Sequence, residues 1–422
     1  MASLNLQRNS EVFFSTVDLL NGGAVTSMTP VNTWKLEVLA GFAATSSAAT
    51  QDITSLESGT TPDRAQQRFN TAINPADWNL QVYLRPTGVE TGAASGTTGA
   101  GTTSTGNVKP VADWFMWQAL VSNTKVSSGT SEQSVWATGG KLQTTNVAAG
   151  TGSHSSRTNF ATAQENHMYF HLDNVIYQVS NATVNQATVD AGIEEIATVT
   201  WTGMGTTLKE LTGTPRDNAV AVFGGILNNG TAVTVANANI AASATAAYHP
   251  YNQMNVAGSA GTNSFIKNRL SAIEFHHKPT AGGADVKYVF PVTALTFDYT
   301  NNMTYLTPEE LSALNAPIGQ FVGTRAVTGS ATMYLRAGDT ESATFLRNIA
   351  NDTRTSSSAT ANANLIIGGA VAPYVAFQLD AVQFEFPQIA IEDVISLSVN
   401  FVGQETTANK GNGGEVTIFA KK

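Results

Sequence analysis

Val327-Thr328-Gly329-Ser330-Ala331-Thr332-Met333-Tyr334-Leu335-Arg336 is the stretch on which the fold turns, because its second half is also written earlier, as Gln81-Val82-Tyr83-Leu84-Arg85. Aligned on the shared Tyr-Leu-Arg, Asn79 meets Ser330, Gln81 meets Thr332, Tyr83 meets Tyr334 and Arg85 meets Arg336. The positions between them pair Leu80, Val82 and Leu84 with Ala331, Met333 and Leu335. Strand side chains alternate between faces, so each stretch has one apolar and one mostly polar face and predicts a half-buried strand.

Other echoes follow in the same order. Ile193-Glu194-Glu195-Ile196 returns as Ile391-Glu392-Asp393-Val394, and the alternating runs behind them set Thr198, Thr200 and Thr202 against Ser396, Ser398 and Asn400. Leu172-Asp173 with Val175, Tyr177 and Val179 is matched to Leu379-Asp380 with Val382, Phe384 and Phe386. Each half also carries a helix signal: Pro110 ahead of Trp114, Phe115, Trp117, Ala119 and Leu120, and Glu341 ahead of Phe345, Leu346 and Ile349. Earlier strands are expected at Trp34 to Val38 and Phe290 to Phe297, and the openings Val12-Phe13-Phe14 and Ile273-Glu274-Phe275 are alike. Thr307, Pro308 and Glu310 fit an N-cap, a first-turn proline and a capping-box acid, whereas Thr61-Pro62 with Arg64 reads as loop.

Repetition on this scale means two copies of one domain, residues 1–205 and 206–422, with the junction at the Gly203, Gly205, Gly213 and Pro215 cluster. Copy one contains a Gly/Thr/Ser-rich insertion at 88–107, and copy two a polar run at 351–364.

The 422 residues, 42% of them apolar, suffice for a core in each domain. No cysteine is present, which excludes disulfides and thiolate metal sites. No apolar leader or membrane-length run is seen, so the expectation is a chain made in the cytoplasm with no membrane partner. The net charge of −9 argues against a protein built to grip nucleic acid, which needs a basic surface.

Catalytic and metal readings fail on spacing. His167 and His171, with Asp173 nearby, lie four apart, but Met168 to Leu172 reads as strand, where that separation spans about 13 Å, too far to share one ion. His276-His277 ends a short apolar run and is expected at the surface. Glu194-Glu195 and Glu392-Asp393 fit turns before a strand better than an acid–base pair across a cleft. There is no phosphate loop, dinucleotide fingerprint or nucleophile elbow. No catalytic, cofactor-binding or metal residue is assigned, and the chain is expected not to be an enzyme.

The phrase 327–336, the ending Phe377-Gln378-Leu379-Asp380 through Ile391 to Val399, and the opening Leu6-Gln7-Arg8-Asn9-Ser10 with Phe13-Phe14 resemble the tail tube proteins of long-tailed bacteriophages. The resemblance implies a mainly β (α+β) protein of two tandem β-sandwich or split-barrel domains, each with one short helix, whose sheets join those of neighbours into a closed ring barrel. Three chains would supply the six domains of a pseudo-hexameric ring, and rings would stack into a hollow virion tube that conducts DNA during ejection. An acidic wall would let that DNA slide without sticking.

Asn79, Gln81, Thr198, Thr200, Thr202, Ser330, Thr332, Ser396, Ser398 and Asn400 are then the lumen-facing candidates, and Arg85 and Arg336 the candidates for inter-subunit ion pairs. Stacking is expected to use 88–107, 351–364 and the termini. Implied partners are further copies of the chain, tape measure, tail terminator and baseplate or tip proteins, with a sheath if the tail contracts; no cofactor is implied. Two other classes stay open: a carbohydrate-binding or adhesive β protein using Trp114, Trp117, Trp136 or Trp201, and another virion component such as a sheath or capsid decoration.

Overall fold

The computed structural model describes residues 10–16, 18, 33–53, 67–86, 111–121, 136–137, 141–143, 166–172, 175–210, 227–228, 231–232, 266, 268–277, 286–308, 315–355, 361–369, 373–386, 388–391, 394–405 and 415–421. In chain order these begin with β1 (Ser10–Ser15), β2 (Thr33–Leu36), β3 (Ala43–Thr45), β4 (Ala48–Ile53), β5 (Gln67–Ile73) and β6 (Ala76–Tyr83). There follow α1 (Trp114–Val121), β7 (Trp136–Ala137), β8 (Lys141–Gln143), β9 (Asn166–Leu172), β10 (Val175–Gly192), β11 (Thr198–Gly205) and β12 (Thr207–Glu210). Next come β13 (Leu227–Asn228), β14 (Thr231–Ala232), β15 (Ala272–His277), β16 (Val286–Pro291), β17 (Ala294–Thr300), β18 (Thr304–Leu306) and β19 (Gly319–Phe321). The last are β20 (Ala326–Tyr334), α2 (Ser342–Thr355), β21 (Ala361–Ile367), β22 (Tyr374–Phe384), β23 (Gln388–Ala390), β24 (Ser396–Gly403) and β25 (Thr417–Lys421).

The chain is mainly β, and every ladder between these strands is antiparallel. In the first half β2 pairs with β1, β1 with β9, β9 with β10, β10 with β12 and β11, β11 with β6, and β6 with β3. In the second half β16 pairs with β15, β15 with β21, β21 with β22, β22 with β25 and β24, β24 with β20, and β20 with β17. Strand for strand, the order is the same.

The long strands β10 and β22 each serve two layers. The start of β10 pairs with β9 and β12, and its end, Thr183 to Asp190, pairs with β11. Between the two sits Asn181 at φ 48, a left-handed backbone that Asn tolerates better than most residues, where the β9 ladder breaks. The far edge of β10 then joins the halves: Gln186 to Gly192 runs against Thr300 to Ala294 of β17. One sheet therefore crosses the molecule in the order β3-β6-β11-β10-β17-β20-β24-β23. Between its ends β3 and β23 this crossing sheet is open, while the Val38–Val82 bridge and the Leu39 N–H to Gln81 carbonyl bond bring the segment after β2 back onto β6.

The core lies between this sheet and the outer layers. Phe14, Trp34, Trp114 and Phe115 cluster in the first half, and Phe275, Phe290, Phe345 and Phe384 in the second. Helix α1 buries Trp114, Phe115, Met116, Trp117, Gln118, Leu120 and Val121, so it is wrapped on nearly all sides, as its apolar composition requires. It also bridges the halves. Trp117 touches Trp201 of β11 and Phe377 of β22, and the Leu120 carbonyl accepts from Asn301 Nδ2 at 2.8 Å.

Both helices and the repeated strands stand where the sequence places them, but several details differ. Phe290 to Phe297 is two strands, β16 and β17, broken at Val292-Thr293, and the strand from Trp34 ends at Leu36. Leu172-Asp173 does not correspond to Leu379-Asp380. Leu172 ends β9, whereas Leu379 lies inside β22, and the ladders set Val179 at its place. The run 351–364 is not one loop, since α2 extends to Thr355 and β21 begins at Ala361.

Gly203 and Gly205 are strand residues, not a linker. A Cβ on Gly203 would stand 2.0 Å from the Thr183 carbonyl oxygen and 2.2 Å from the Trp78 ring, so the glycine is needed for packing. The insertion at 88–107, the Thr61-Pro62 turn, Gly213 and Pro215 lie outside the described residues, as does Glu310.

Candidate assembly surface

The sheet that crosses the molecule has one apolar and one mostly polar face, because polar and apolar residues alternate along most of its central strands. On the core side, Leu80, Val82, Val199, Trp201, Ala187, Val189, Leu295, Phe297, Ala331, Met333, Leu397 and Val399 are all nearly or fully buried. On the other side the register lays out rows. Asn79, Thr202, Gln186 and Thr300 stand abreast, then Gln81, Thr200, Thr188, Asp298 and Thr328, then Tyr83, Thr198, Asp190, Thr296, Ser330 and Asn400. A further row holds Ala294, Thr332, Ser398 and Gln388, and the last Tyr334, Ser396 and Ala390.

All ten polar candidates read from the sequence thus share one face. Asn79 and Asn400 are exposed on it, and the other eight are half-buried. Side chains bond across the strands: Gln81 Nε2 donates to Thr198 Oγ1 at 3.1 Å, Thr296 and Ser330 hydroxyls meet at 2.7 Å, and Asn400 Nδ2 donates to Glu385 at 3.0 Å. The charged residues in these rows are acidic, Asp190 and Asp298, with Asp77 on the same face of β6.

Sequence reading missed the middle of this face. Gln186, Thr188 and Asp190 alternate with Ala187, Val189 and Ala191, a legible strand signal, but the matched echo ended at Val179 and drew attention away from it. The missed residues tie the halves together, since Thr188 Oγ1 donates to Asp298 Oδ1 at 2.5 Å and Gln186 Nε2 to the same oxygen at 3.5 Å.

The two arginines part company. Arg85 is 5% exposed and ion-paired within the chain to Glu37, so it is a core-edge residue and not one waiting at an open rim. Beside it Asp113, also buried, accepts the Trp201 indole N–H on Oδ2 at 2.9 Å. Burial pushes the Asp113 carboxyl up to about 6, against the pull of its hydrogen bonds and of Arg85. Arg336 is exposed.

His167 lies on a strand as expected, buried at 5% exposure with Nδ1 3.4 Å from Gln178 Nε2; burial lowers its pKa, offset in part by Asp18. His277 is buried rather than at the surface, because β15 is flanked by β16 and β21 and alternation turns this residue inward. Glu194 and Glu195 occupy a turn between β10 and β11. Glu392 and Asp393 lie outside the described residues. Among the described residues no cluster of His, Asp or Glu could hold a metal ion, and no helix is long and apolar enough to cross a membrane.

No family model matches the chain. Over 432 aligned positions it is 25% identical to the tail tube protein pb6 of Escherichia phage T5, a match covering 99% of this chain and 76% of that protein. Running from end to end over a sheet with a single polar face, this similarity makes the chain a homologue of a bacteriophage tail tube protein.

Proposed function

We propose that the chain is a structural protein of the virion tail, that three copies form a ring of six sheet units, and that stacked rings form the hollow tube through which DNA leaves. The observation that carries this reading is the sheet that passes without a break from one half into the other with a continuous polar face. In such a ring that face lines the lumen with Asn79, Gln81, Thr198, Thr200, Thr202, Ser330, Thr332, Ser396, Ser398 and Asn400. Small hydroxyl and amide groups with a few carboxylates give a wetted wall that phosphates do not grip.

The two units are proposed to descend from one doubled module, with the first extending to Glu210, because β12 pairs with β10. Support comes from the shared ladder order and from a reciprocal exchange. Trp78 stands opposite Gly203 in the first half, and at the same places in the second Gly329 stands opposite Phe401. In each case the ring occupies the space above the glycine. Arg336 is the remaining candidate for an inter-subunit ion pair. Stacking is assigned to parts outside the crossing sheet, among them the hairpin β18–β19, where Leu306, Ile318 and Phe321 are 54%, 65% and 44% exposed. Tape measure, terminator and tip proteins are the other proposed partners.

A sugar-binding platform is disfavoured by burial, since Trp114, Trp117 and Trp201 are 2%, 0% and 0% exposed. Negative-stain imaging of the purified protein at high concentration tests the reading. Hollow tubes of uniform diameter are expected. A species that stays monomeric under every nucleating condition, or one that binds a glycan array and never assembles, contradicts it.

A further inference from the structure

Resting on the ring reading, we infer that the seam between neighbouring chains copies the seam inside one chain: strand β23 of one copy pairs antiparallel with β3 of the next, Ala390 opposite Ala43 and Ile389 opposite Ala44. The internal junction supplies the register. There Asp190 faces Thr296, Val189 faces Phe297 and Ala191 faces Leu295. The ladders to the neighbouring strands translate these positions. Asp190 pairs with Thr198 as Ala390 pairs with Ser396, and Thr296 pairs with Ser330 as Ala43 pairs with Asn79.

Burial identifies both ends as unfinished. Val189 and Ala191 are 1% and 4% exposed because β17 covers their edge, while Ile389 and Ile391 are 48% and 82% exposed. Ile389 is not a surface residue by position, since it stands beside fully buried Leu397 on the core face. On the other side, Phe42 and Ala44 are half-buried against the core, with Phe42 stacked on Phe170 at 6.0 Å, and β3 has no ladder beyond β6 among the described residues.

The side chains also complement one another. A medium residue faces a large one inside the chain, Val189 with Phe297, and a larger faces a smaller between chains, Ile389 with Ala44. Ala191 with Leu295 becomes Ile391 with Phe42. Gln388 comes opposite Thr45, where Thr188 and Asp298 bond across the internal seam. An edge that is uncharged and apolar on its core side invites such pairing.

Cysteine cross-linking tests this against a clean background, because the chain has no cysteine of its own. Directly opposed strand residues bring Cα atoms within disulfide range. Chains carrying only Ala43→Cys are mixed with chains carrying only Ala390→Cys, assembled and oxidised. A covalent dimer is expected from this mixture and not from Ser47→Cys with Ala390→Cys. The double variant Asp190→Cys/Thr296→Cys must close within the chain and shows that substituted strands still fold and oxidise. Tubes without the 43–390 link, while that control closes, overturn the proposed seam and leave the tube reading standing. Neither tubes nor link, with the control closed, overturns both.

Discussion

Gly203 shows how much of the fold depends on a residue with no side chain. A methyl group there meets the Thr183 carbonyl and the Trp78 ring well inside contact distance. Overpacking of this kind costs about 1–3 kcal/mol, so Gly203→Ala should lower the midpoint of denaturant unfolding accordingly. The exchange seen in the second half makes a sharper prediction. Gly203→Phe alone should be strongly destabilising, and adding Trp78→Gly should recover much of the loss in a double-mutant cycle, since the pair then has the Gly329–Phe401 form. Strict additivity of the two would contradict it.

Asp113 gives a pH signature. Its carboxyl titrates at about 6 when folded and at about 4 when unfolded, so between these values the native state holds a proton that the unfolded state has lost. Stability contributed by the neutral acid is therefore lost as pH rises through that window, by roughly 2–3 kcal/mol at most. Asp113→Asn, which still offers an acceptor to the Trp201 indole, should flatten stability between pH of about 4 and about 6. An unchanged profile from urea melts would refute the assignment. None of this was legible in the sequence: Asp113, Trp201, Arg85 and Glu37 are neighbours only through the fold, and Arg85 read alone looked like a candidate for an inter-subunit ion pair.

Among the elements, β10, α1 and the ladder between β8 and β25 hold the halves together. Alternation alone places the polar candidates on one face, and that part of the site could be read before any coordinates. What alternation cannot show is that β10 continues past Asn181 to pair with β17, because strand partners distant in sequence leave no local mark. Likewise α1 announces itself as a buried helix by its aromatic run, yet not that Trp117 reaches Phe377 in the other half. Truncating Trp117 removes contacts with Trp201 and Phe377 together. Trp117→Ala should cost about 3–5 kcal/mol and increase protease cleavage between the halves. If cleavage does not change, α1 does not couple them.

At the scale of the whole molecule, the open sheet accounts for the rest. The halves share ladder order, one joins the other edge to edge, and the outer edges carry apolar residues of the kind that the internal seam buries. A monomer gains nothing from exposing Ile389 and Ile391, whereas an assembly that repeats the internal junction covers them. The Tyr-Leu-Arg echo was legible in the sequence, and it sets β6 and β20 at the same place in the two ladder orders. The proposed direction of growth was not legible there, because it depends on which edges carry no ladder among the described residues. In the proposed tube, the acidic residues on the polar face would favour passage of DNA over its retention.

A cryo-electron microscopy reconstruction of assembled protein tests the account most directly. It should show a hollow cylinder with three chains per ring, six sheet units around the axis, and Asn79, Thr200, Ser330 and Asn400 on the inner wall. A solid particle, a ring with another number of chains, or a wall in which that face points outward would contradict it.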